Sequence, residues 1–120
     1  MRKKISRRLT AARMVEAVVG CKWSLAVLGA VRRGVHRPGA LEHAIDGISK
    51  KVLNERLRKL VRFGILVKRS YAEVPPRVEY RLTDFGERFA ALIDDVERLE
   101  RELQSDPLPG GTLTSSRERA

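Results

Sequence analysis

The chain has 120 residues, enough for one domain whose core buries roughly two-thirds of the surface its unfolded chain exposes, and too few to make a second domain the expectation. Its formal net charge of +10 makes a polyanion the expected partner, with nucleic acid ahead of an acidic membrane. The single cysteine, Cys21, excludes an intramolecular disulfide and a cysteine-based metal site within one chain, which suits a reducing cytoplasm.

The basic start, MRKKISRRLTAAR, is not followed by the apolar stretch of an export signal, because Arg13 and Glu16 interrupt it. The uncharged apolar run at residues 24–31 falls far short of the ~20 residues of a membrane span. A soluble cytoplasmic protein is expected. Charge is also segregated. Residues 1–14 carry +6 and residues 49–81 carry +7, whereas residues 84–106 carry −5. The middle and the N-terminal arm are therefore assigned to the polyanion and the acidic C-terminal segment to another task.

In chain order, residues 1–9 read as a basic arm. Residues 10–19 place Met14, Val15, Val18 and Val19 at helical spacing, with Gly20 as the stop. KWSLAVLGAVRRG reads as a second helix, buried on most sides, with Trp23 in the core and Arg32, Arg33 and Gly34 closing it. Pro38 suits the first position of a short third helix ended by Asp46-Gly47. Ser49 caps a fourth helix whose apolar stripe is Val52, Leu53, Leu57, Leu60 and Val61, with Gly64 after it. Its opposite face carries Lys50, Lys51, Asn54, Arg58 and Arg62. Residues 65–71 and 77–82 alternate like the strands of a hairpin with its tip at 73–76. Thr83 caps a last helix running to about Gln104, and residues 105–120 read as a disordered Pro/Gly/Ser/Thr tail.

This order is that of a winged helix-turn-helix domain over residues 10–104, α+β but mainly α, with a two-stranded wing and a C-terminal dimerisation helix. In such a domain the fourth helix enters the DNA major groove and the hairpin reaches phosphates or the adjacent minor groove. Ser49, Lys50, Lys51 and Asn54 in its first turn are then candidates for base contacts, because Asn pairs bidentately with adenine and Lys donates to guanine. Arg58 and Arg62 fit phosphates. A basic helix face is by itself more often solvated surface; the gathering of Lys68, Arg69, Arg77 and Arg81 on the neighbouring hairpin shifts the weight to DNA. Pro75 and Pro76 stiffen the tip ahead of Arg77, and Glu79 reads as a structural partner for a nearby arginine.

Three stretches, GCKWSLAVLGAV, DGISKKVLNERLRKLVRFGILVKR and YAEVPPRVEYRLTDFG, make the chain resemble the HxlR-type helix-turn-helix transcriptional regulators, a winged-helix group related to MarR-like regulators. The resemblance runs from about Thr10 to Leu103. It implies a homodimeric bacterial regulator on a pseudo-palindromic operator, often near its own gene, with the first and last helices at the dimer interface. By family position Ser49, Lys51 and Arg56 match the recognition-helix motif and Arg77 the wing arginine. Arg56 is equally readable as a structural residue folded back on the domain. Asn54 stands where threonine is usual, and Pro38 where an aromatic is usual.

Phe85, Phe89, Leu92, Val96, Leu99 and Leu103 follow the 4, 3, 4, 3, 4 spacing of an apolar heptad seam, an independent reason to expect a helix-mediated homodimer. The cysteine through which several relatives sense oxidants or electrophiles corresponds to Thr10 here. Cys21, beside Lys22 near a helix N-terminus, reads either as a reactive redox sensor or as an inert small hydrophobe. A small-molecule effector is left open near Trp23, Phe85 and the seam. His36 and His43 are too isolated for a metal site or a triad, so neither an enzyme nor a cofactor is expected. A nonspecific nucleic-acid-coating protein and an interaction module with a vestigial DNA surface remain as alternatives.

Overall fold

The computed structural model describes residues 9–105. The basic arm and the C-terminal tail lie outside them but for Leu9 and Ser105. The described residues form five helices and one hairpin in the order α1 (Ala11–Val19), α2 (Lys22–Arg32), α3 (Pro38–Ala44), α4 (Lys50–Arg62), β1 (Leu66–Tyr71), β2 (Arg77–Leu82) and α5 (Asp84–Ser105). The chain divides into two compact units between Ala90 and Ala91, the second consisting, among the described residues, of the remainder of α5.

Helix α1 starts where Thr10 accepts a hydrogen bond from the Arg13 N–H at 3.1 Å, and it buries Met14 and Val18. Helix α2 is the centre of the first unit, packing against α1, α3, α4 and β2. Val27, Leu28, Ala30 and Val31 supply its buried face. Trp23 corrects the expectation of a core residue: it is half-buried, with Lys22 Nζ 5.0 Å over its ring. The α3–α4 connection passes beneath it, where Gly47 adopts φ 84°, a left-handed turn that a side chain would strain.

Ser49 Oγ accepts from the Val52 N–H at 3.1 Å and so starts α4. Leu53, Leu57 and Leu60, each at most 1% exposed, fix this helix on the core, and burial of each contributes about 1.5–3 kcal/mol. Val52 and Val61, at the edges of the predicted stripe, are half-buried.

The strands pair antiparallel, from Leu66 opposite Leu82 to Tyr71 opposite Arg77. The first strand begins one residue later than the alternation predicts. Ile65 is engaged otherwise, its N–H bonded to Leu60 O and its C=O accepting from the Thr83 N–H. On the outer edge of β2, the Tyr80 N–H donates to His36 O at 2.8 Å, which fastens the α2–α3 connection against the sheet. The sheet with α2, α3 and α4 gives the winged helix-turn-helix expected from the pattern.

Candidate nucleic-acid interface

Helical geometry separates two faces of α4. With Leu53, Leu57 and Leu60 buried, Lys51, Asn54, Arg58 and Arg62 form one exposed ridge at spacings of 3, 4 and 4, with Lys50 beside it. Ser49 is also exposed, and although its oxygen caps the helix its hydroxyl proton remains free to donate. Arg56 is set apart from this ridge. It is half-buried, and its Nε is buried without a hydrogen-bond partner among the described residues.

On the wing, Lys68 and Arg69 are exposed and make no ion pair among the described residues. Arg77 is placed differently from a free contact residue. Its guanidinium lies 3.1 Å from Glu73 and 3.7 Å from Glu79 and stacks 4.0 Å from the Tyr71 ring centroid. The register explains this, since Tyr71 and Arg77 are cross-strand partners. Glu79 is the hub of the network. It accepts from Arg81 Nε at 3.0 Å and from the Tyr71 hydroxyl at 3.3 Å. The hydrogen bond from Arg81 holds the Glu79 carboxyl below the usual carboxylate range; against the opposing effect of burial, the charges of Arg81 and Arg77 and the Tyr71 bond act the same way. Glu79 thus has the structural role read for it, shared between two arginines.

Two residues near the wing escaped the sequence reading. Val74 is fully exposed at the hairpin tip, an apolar side chain between acidic and proline neighbours. Arg37 is exposed ahead of Pro38, and its extended backbone (φ −95°, ψ 140°) is the conformation that a following proline favours. Neither carries a periodic signal, and each becomes visible only when the tip and the α2–α3 connection are placed.

The predicted seam on α5 divides by burial. Leu92, Leu99 and Leu103 are 46%, 60% and 53% exposed, Phe85 is 39% exposed and Val96 is intermediate. Phe89 corrects the expectation of a seam residue: only 4% exposed, it is consumed within its own chain, its ring centroid 6.1 Å from that of Phe85. Cys21 is half-buried at the start of α2 without making a capping bond. Its thiol is shifted below the ordinary value: burial raises it but is outweighed by Ser24, the charge of Arg56 and the Trp23 backbone N–H. Among the described residues no group of three or more His, Cys, Asp or Glu side chains is placed to hold a metal ion.

The HxlR-like helix-turn-helix family matches residues 18–106. The uncharacterized HTH-type transcriptional regulator YtfH of Escherichia coli (strain K12) is 41% identical over 83 residues, covering 66% of this chain and 66% of that protein, so the chain spans just under two thirds of that relative's length. A solved structure assigned to the MarR family of transcriptional regulators, from Enterococcus faecalis V583, superimposes with a TM-score of 0.70 at 28% identity, covering 88% of this chain and 91% of the other. Diamide-treated YodB from B. subtilis gives a TM-score of 0.65 at 25% identity, over 81% and 93% of the two chains. With the family match extending from the end of α1 through α5, the chain belongs to the HxlR-like helix-turn-helix family.

Proposed function

We propose that the protein is a transcriptional regulator that binds a pseudo-palindromic DNA operator sequence-specifically as a homodimer. The observation that carries this reading is the exposed ridge Lys51, Asn54, Arg58 and Arg62, set on a helix whose other face is locked into the core. A helix entering the major groove brings its first turn to base edges. Asn54 then reads adenine and Lys51 guanine, with Ser49 and Lys50 at the same level. Arg58 and Arg62, one and two turns further, bind phosphates, as do Lys68 and Arg69 on the wing. Arg77 acts through the network that shapes the wing tip as well as through its charge.

The homodimer reading rests on α5. Leu92, Leu99 and Leu103 are about half exposed, so covering each by a partner helix contributes roughly 1 kcal/mol. A helix spent on a partner has no need of basic charge, which accounts for the acidic sign of the C-terminal segment. Two such protomers present recognition helices to half-sites about 34 Å apart, one turn of DNA.

Gel-shift titration against the region upstream of its own gene, with random-sequence competitor at two salt concentrations, tests this reading. The expected outcome is an advantage of ~10³ or more for the specific fragment. Binding that depends steeply on salt and hardly on sequence would instead identify a nonspecific nucleic-acid-coating protein.

A further inference from the structure

Between the start of α3 and the wing lies a cleft of about 350 Å³, within the size range of small-ligand pockets. Arg37 and Pro38 form one side, and Glu73, Pro76, Arg77 and Val78 line the other. It exists because Tyr80 holds His36 against β2 while Pro38 turns the chain away into α3 before the wing tip is reached.

The lining has two chemical halves. One is cationic: Arg37 is exposed and makes no ion pair among the described residues, and Arg77 Nε is buried without a partner. The other is apolar and stiff, formed by Pro38, Pro76 and Val78. Glu73, also in the lining, pairs with Arg77 at 3.1 Å in a partly exposed contact, a weak and exchangeable kind of pair, and makes no other ion pair among the described residues. Guanidinium forks match a carboxylate in plane and spacing. A bare inorganic anion leaves the apolar half unfilled, and an uncharged apolar molecule leaves the Arg37 charge and the Arg77 Nε unanswered.

We propose that this cleft binds a small organic anion, a carboxylate on a compact apolar body. The carboxylate displaces Glu73 from Arg77 and also meets Arg37, and the body lies against Pro38, Pro76 and Val78. One wall is the wing and the other the first helix of the helix-turn-helix, so occupancy is felt at the DNA-facing hairpin. That consequence rests on the DNA-binding reading; the binding itself does not.

The test is an NMR titration of the ¹⁵N-labelled full chain without DNA, so its outcome is independent of operator binding. Cyclohexanecarboxylate is the probe, with cyclohexanecarboxamide as its uncharged analogue and inorganic phosphate as an anion without a body. The expected result is saturable shifts at the amides of Arg37, Arg77 and Val78, with both comparison compounds about tenfold weaker or worse, the factor that corresponds to about 1.4 kcal/mol. Arg37→Ala should weaken binding severalfold. Glu73→Gln should strengthen it by removing the competing carboxylate, and by more than Glu87→Gln, which makes the same charge change elsewhere. Unsaturable shifts, equal response to phosphate or to the amide, or no difference between the two glutamine variants would overturn the proposal. If Arg37→Ala fails to fold, the comparison of the three compounds on the unaltered chain decides.

Discussion

Gly86, in the first turn of α5, tests how the wing is joined to the last helix. Thr83 organises this corner: its hydroxyl donates to Gly64 O at 2.6 Å, and its Oγ1 accepts from the Gly86 N–H at 2.8 Å. The Thr83 N–H also donates to Ile65 O at 3.1 Å. These bonds draw the helix onto the chain entering β1 so closely that a Cβ at position 86 falls 2.0 Å from Ile65 O and 2.9 Å from its carbonyl carbon. The obstacle is backbone, so no rotamer relieves it, and either α5 or the start of β1 must move. Overpacking typically costs ~1–3 kcal/mol, and a contact this short places Gly86→Ala at or above the upper end, about 3 kcal/mol. Gly39 is the internal control, since it sits in α3 with nothing within 4 Å of its would-be Cβ. There the same substitution only removes glycine's helix penalty and should stabilise by up to about 0.5–1 kcal/mol. Guanidinium denaturation at one fixed protein concentration reads both, because the stability of an oligomer depends on concentration. The two variants should shift in opposite directions. A Gly86→Ala protein within about 0.5 kcal/mol of the unaltered chain, well short of that cost, would refute the close-packed corner.

Three further outcomes follow from the same geometry. Replacing Leu92 and Val96 together by Asp places charge in the apolar face of α5 and should give monomers that no longer bind the operator; an intact dimer in sedimentation would remove α5 from the interface. Arg58→Ala with Arg62→Ala should weaken binding about equally for specific and random DNA and lower the slope of log K against log salt by about two, one for each phosphate no longer neutralised, and an unchanged slope would leave both as solvated surface. The Glu79 carboxyl is lowered in the folded chain, so its contribution to the wing is complete above the ordinary carboxylate pKa of about 4.3 and is lost as pH falls through the lower folded value. Wing amide shifts followed by NMR below about pH 4 should show the hairpin loosening, and Glu79→Gln should abolish that titration.

Much of the fold was legible because its signals are local. Ser49, the leucines of α4 and Gly64 mark that helix by capping and a 3.6-residue period, and alternation marks both strands. What escaped depends on placement in space. Arg77 reads as a bare wing contact until the register brings Tyr71 and Glu79 beside it. Phe89 continues a perfect heptad, yet a period tells which residues share a face and not whether that face meets the core or a partner. Arg37 carries no pattern at all and gains meaning only from the hydrogen bond that lays its neighbour along β2.

On the proposed reading α4 reads base sequence while a two-fold pair of such helices sets the half-site spacing. Selection of binding sites from a random-sequence DNA pool, performed with the unaltered chain and with Asn54→Thr, separates the outcomes. The expected result is an inverted repeat with half-sites one helical turn apart, about 10 base pairs, and a changed preference at one symmetric position in each half for the variant. A pool enriched without any shared motif, or the same motif from both proteins, would contradict it.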